Sequence, residues 1–97
     1  MANGKDDIRV AVGFPTHPKT LALIGDLGEG AGFCLIRLWC WVAINRHRGA
    51  LSRAKDVEVV AGWRGESGAF HRALVEHGWL EPDGVTLHDW PTEQPYV

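Results

Sequence analysis

Apolar positions recur with two different periods along this 97-residue chain. Ile8, Val10 and Val12 alternate with Arg9, Ala11 and Gly13, and that period of two predicts a short N-terminal strand. Over 19–27 the apolar residues Leu21, Ile24 and Leu27, with Leu23 beside them, follow helical spacing. Pro18 disfavours helix in the residue before it, and Gly28 and Gly30 end the segment. Over 31–47 the chain is apolar almost all round: Phe33, Cys34, Leu35, Ile36, Leu38, Trp39, Trp41, Val42 and Ile44. This predicts a long second helix enclosed by other elements or by a second subunit. At its end Arg46, His47 and Arg48 complement the helix dipole, and Gly49 suits a C-terminal cap.

Ala50, Leu51 and Ser52 read as a minimal strand. Ser52 or Asp56 can cap a short third helix ending near Ala61, with Val57, Val60 and Ala61 on one face. Gly62, Trp63, Arg64 and Gly65 make a tight connection. A fourth helix begins near Glu66 or Ser67, either of which can cap it, and runs to His77. There Phe70, Ala73, Leu74 and His77 repeat at i, i+3, i+4 and i+7 as a buried stripe. Gly78 stops it. Residues 79–81 and 85–88, joined through Pro82, Asp83 and Gly84, read as a hairpin.

Two short helices with a glycine-bearing turn between them make a helix-turn-helix, and the hairpin adds a wing. The expected fold is therefore mainly α with a small β-hairpin: a winged helix-turn-helix of four helices, the wing and the short N-terminal strand. One domain over 8–90 is flanked by a tail at 1–7 and an extended tail at 91–97.

Composition narrows the function. Hydrophobic residues make up 45% and charged residues 23%, which suits a globular chain. The formal net charge of −2 argues against coating nucleic acid by charge alone. The distribution is uneven, however. Between 31 and 80, Arg37, Arg46, Arg48, Arg53, Lys55, Arg64 and Arg72 outweigh Asp56, Glu58, Glu66 and Glu76, so any phosphate affinity lies in the middle of the chain. The five tryptophans first serve core packing in so short a domain; Trp90, after the hairpin, either folds back over the helices or meets a partner. The apolar run at 31–44 is too short to span a bilayer and contains Arg37, and the polar N-terminus lacks a signal core. A cytoplasmic protein is expected, in the host cell if the chain is phage-encoded, with no membrane association.

No catalytic, cofactor or metal site is expected. Cys34 and Cys40 are six apart on a helix and point about 120° away from each other, so they read as buried free thiols. Cys34, Cys40, His47, His71, His77 and His88 show no zinc-ligand spacing, and His77 reads as a hydrogen-bonded core histidine. His88 and Asp89, as neighbours in a strand, would face opposite ways. Four glycines over 25–32 lack the lysine of a phosphate loop. Arg37, within the apolar helix, needs an ion pair with Asp26 or Glu29 or else marks an interface edge; an unpaired buried charge costs several kcal/mol.

In a helix-turn-helix the second helix enters the major groove by its N-terminal part. With Phe70, Ala73 and Leu74 inward, Gly68, Arg72, Val75 and Glu76 face outward, with Ala69 and His71 at the edges. Gly68, His71, Arg72 and Val75 are the expected groove residues, and Arg53, Lys55 and Arg64 the expected phosphate contacts. The competing reading is a protein–protein adaptor, either a homodimer or a docking module for a replication helicase or its loader. Trp41, Ile44 and Trp90 would then line the interface.

The run of Ile8 to Phe14, of His17, Pro18, Lys19, Thr20 and Leu21, and of Leu38, Trp39, Cys40 and Trp41 carries a resemblance. So do Leu51 and Ser52, the stretch from Ala61 to Gly65, Ala69 and Phe70, Leu74 through Leu80, and His88, Asp89 and Trp90. Together, over roughly 8–92, these resemble the N-terminal winged-helix domain of phage and prophage replication-initiator or replisome-organiser proteins. The resemblance implies a phage or prophage origin and a role in binding double-stranded origin DNA or recruiting a helicase. Members of that family usually continue into a linker and a second domain.

Overall fold

The computed structural model describes residues 8–46 and 48–90, and the expected tails at 1–7 and 91–97 lie outside them. The fold is mainly helical. A 3₁₀ turn at Phe14–Thr16 leads into α1 (Pro18–Leu27), followed by α2 (Gly30–Asn45), α3 (Asp56–Ala61) and α4 (Ala69–Glu76). Helix α2 is the centre of the packing. It lies against α1 and α3, and α4 packs on α1 and α3.

Each helix follows the apolar periodicity, but its start has a local cause. The imidazole Nδ1 of His17 accepts the Lys19 N–H at 3.1 Å and Pro18 occupies the first turn, so α1 begins one residue before the expected start. Helix α2 buries Ala31, Cys34, Leu35, Leu38, Val42 and Ala43 on one side only. Neither Ser52 nor Asp56 caps α3; Asp56 enters the first turn and instead pairs with Arg53. Glu66 and Ser67 likewise do not cap α4, which starts later, after Gly68.

Helices α3 and α4 are separate because Gly62 turns left-handed (φ +72°), its N–H capping the carbonyls of Glu58 and Val59. A Cβ there would also come within 2.6 Å of the Arg37 guanidinium. Trp63 then stacks on Phe70 at 5.4 Å and donates its indole N–H to the Glu66 carbonyl, closing the turn between the helices.

The β-structure is smaller than the alternation predicted. Among the described residues it consists of two isolated antiparallel bridges, Ala50↔Thr86 and Leu80↔Leu87. The expected strand at 8–12 makes no bridge. Val12 is fully exposed and Val10 partly so, and the chain turns instead, Phe14 N–H donating to the Ala11 carbonyl. An alternating pattern without a neighbour to bury its apolar face does not form a strand. Around the bridges, Leu51 N–H donates to Val85, Leu87 N–H to Gly49, Glu81 N–H to Thr86 and His88 N–H to Trp79. Segment 85–88 thus lies between 49–51 and 79–81. Asp83 organises the turn: its carboxylate accepts Val85 N–H, Thr86 N–H and the Thr86 hydroxyl.

Burial and pairing decide some readings left open and reverse others. Trp90 is inside, 3% exposed, over Gly49, whereas Trp39, Trp41, Trp63 and Trp79 are half-buried. Cys34 is buried but Cys40 is exposed. Arg37 makes no ion pair with Asp26 or Glu29; it is exposed and lays its guanidinium 4.7 Å over the Phe33 ring. Asp26 is engaged elsewhere, accepting from His77 Nε2 at 2.6 Å. His88 and Asp89 meet at 3.2 Å instead of pointing apart, because Asp89 adopts a positive φ of 53° and is not in a strand.

Candidate nucleic-acid interface

The N-terminus of α4 is built around one carboxylate. Glu58, on α3, accepts the Gly68 N–H at 2.9 Å with one oxygen and the His71 N–H at 3.0 Å with the other. Two of the helix's unsatisfied donors are thereby met by a residue ten or more positions away in sequence, and the negative charge sits at the positive end of the helix dipole. Gly68, expected as a groove contact, is half-buried and held by this bond.

His71 is also half-buried. Its Nε2–H donates to the Gly84 carbonyl at 2.9 Å, tying α4 to the turn at 82–84. Val75 packs partly against the core. Arg72 is exposed. Of the expected phosphate contacts, Lys55 and Arg64 are exposed and, like Arg72, have no carboxylate partner among the described residues. Arg53 is held by Asp56 in a two-point contact at 3.1 and 3.2 Å. Three cations therefore remain available, and His71, Gly68 and Arg53 serve the frame that presents them. At the expected interface, Ile44 is exposed, Trp41 is half-buried with the Arg46 guanidinium 5.5 Å over its ring, and Trp90 is interior.

The structure also gathers residues that sequence spacing left apart. Asp26, Glu76 and His77 bring their polar atoms within 4.8 Å of one another where the ends of α1 and α4 meet. Asp26 and Glu76 are exposed, and the His77–Asp26 hydrogen bond accounts for the approach. Phe14, Trp39, Trp79 and Lys19 line a cleft of about 390 Å³, with the Lys19 ammonium 4.7 Å over the Trp79 ring and bonded to the Gly78 carbonyl. No single helix among the described residues is long and apolar enough to cross a membrane. No family model, no curated protein and no solved structure matches the chain.

Proposed function

We propose that this chain is a winged-helix domain that binds double-stranded DNA through the exposed side of α4, as part of a phage or prophage replication protein. The observation that carries the reading is Arg72, exposed and without an ion-pair partner among the described residues, on a helix that follows a glycine turn and is bolted by His71 to a hairpin-like turn. The segments 49–51, 79–81 and 85–88 take the place of the three strands of such a fold, with Asp83 and Gly84 at the wing tip.

In this reading Arg72 reaches a guanine edge or a phosphate, Lys55 and Arg64 grip the backbone, and Val75 sits against the groove. Arg53, Gly68 and His71 act by position: Arg53 fixes the start of α3, and the other two fix the entry of α4. Glu58 already occupies the end of α4, so the helix dipole is not free for a phosphate, and affinity rests on the three side-chain cations.

Electrophoretic mobility shifts on a pool of random duplexes, followed by selection of the bound fraction, test the reading. A complex that weakens as salt rises is expected. Arg72→Ala is expected to cost about 1–3 kcal/mol at a selected site, and Lys55→Ala or Arg64→Ala to weaken all sequences alike and lower the salt slope by about one. Absence of any salt-sensitive complex would remove DNA binding and leave the adaptor reading in its place.

A further inference from the structure

Rings from three separate parts of the fold wall one cleft. Phe14 of the 3₁₀ turn, Trp39 of α2 and Trp79 after α4 lie with ring centres 5.3–5.9 Å apart and line a volume of about 390 Å³. All three are half-buried, so each keeps part of its surface open. A cleft of that size is at the small end of ligand sites, which run from roughly 300 to 1,000 Å³. Half-buried rings in edge-to-face contact offer a further ring both faces and edges to pack on.

The polar groups around Trp79 are donors. The Lys19 ammonium lies 4.7 Å over its ring and donates to the Gly78 carbonyl, with further N–H groups to spare and no carboxylate partner among the described residues. His17 lies 6.5 Å from the same ring. Its Nδ1 accepts the Lys19 backbone N–H, so the neutral imidazole carries its proton on Nε2, which meets no acceptor among the described residues. The Trp79 indole N–H is buried and likewise unmet. Donors gathered beside one ring, with no acceptor supplied by the described residues, match a carboxylate. Arg9 adds positive charge to the lining, and the acid there, Asp89, is held by His88 at 3.2 Å. We propose that the cleft binds a small aromatic carboxylic acid, its ring against Phe14, Trp39 and Trp79 and its carboxylate on Lys19 and His17. An aromatic amine would meet the like charge of Lys19, and an aliphatic acid would leave the rings uncovered. Lys55, Arg64 and Arg72 do not line the cleft, so this site is separate from the proposed DNA contacts.

Titration of the full chain with 1-naphthoate, followed by calorimetry and by the indole N–H resonances, tests this without DNA. A complex with a dissociation constant below about 1 mM is expected. The Trp39 and Trp79 resonances should shift, while those of Trp41 and Trp63 stay in place. The neutral isostere 1-naphthamide and the cation 1-naphthylmethylamine should each bind about tenfold more weakly or worse. Lys19→Gln should cost 1-naphthoate about tenfold and leave the affinity for 1-naphthamide unchanged. A loosened cleft would instead weaken both ligands alike, so the comparison separates recognition of the charge from damage to the fold. No complex up to that concentration, an amide or amine bound as tightly as the acid, an equal loss of both ligands in Lys19→Gln, or shifts confined to Trp41 and Trp63 would each overturn the proposal.

Discussion

Glu58 shows how one side chain can fix the relation between two helices. Its carboxylate bonds two backbone N–H groups of α4 from a half-buried site on α3. Glu58→Ala strands both donors and is expected to destabilise the fold by about 1–3 kcal/mol in chemical denaturation. Thr20 is the opposite case. It is fully buried on α1 and its hydroxyl has no hydrogen-bond partner among the described residues. Thr20→Val keeps the shape and removes the unpaired hydroxyl, so the melting temperature should rise, by the equivalent of about 1 kcal/mol. The two thiols differ as well. Burial pushes the Cys34 thiol up, against the opposing pull of Arg37, while Cys40 is exposed. In dilute native protein at neutral pH a maleimide should therefore label Cys40 quickly and Cys34 only after unfolding.

Among the elements, the turn at 82–84 responds to acid through one carboxylate. The Thr86 hydroxyl, followed by the Val85 and Thr86 N–H groups, holds the Asp83 carboxyl below its ordinary value. The ionised form is thus preferred in the folded turn. Its stabilising effect is complete above the ordinary aspartate value of about 3.9 and is lost as pH falls through the lower folded value. Amide exchange at Thr86 should accelerate over that acid range in the parent and be fast at every pH in Asp83→Ala. A second constraint lies early in the α2–α3 connection. Gly49 has φ +82°, and a Cβ there would come within 2.5–2.6 Å of the Trp90 ring. Gly28 has a similar φ of +92° but open space around it. Gly49→Ala should therefore cost clearly more than the roughly 1 kcal/mol expected of Gly28→Ala, as compared by thermal melts.

Over the whole molecule, the four helices were legible because the period of 3.6 is a property of the chain itself. Phe70, Ala73 and Leu74 declared the buried side of α4, and Gly62 declared its separation from α3. The strands were less legible, since alternation at 8–12 states only that a strand would have two faces, not that a neighbour exists to cover one. The candidate interface was read in part. Exposure of Arg72 followed from the helical phase, while Lys55 and Arg64 were read only as flanking the two helices. The withdrawal of Arg53 to Asp56, of His71 to Gly84 and of Trp90 to Gly49 depended on partners that only the folded chain brings near. Glu58 was missed as the cap of α4 because a cap is sought next to the helix it serves, and this one comes from the helix before. Phe14, Trp39 and Trp79 meet edge to face with ring centres 5.3–5.9 Å apart, joining the 3₁₀ turn, α2 and the segment after α4. Two indoles that close share their excitation, so the far-ultraviolet dichroism of this chain should carry a paired positive and negative band from the strong indole transition that vanishes in Trp39→Phe, making the assembly of those three parts visible without any added dye.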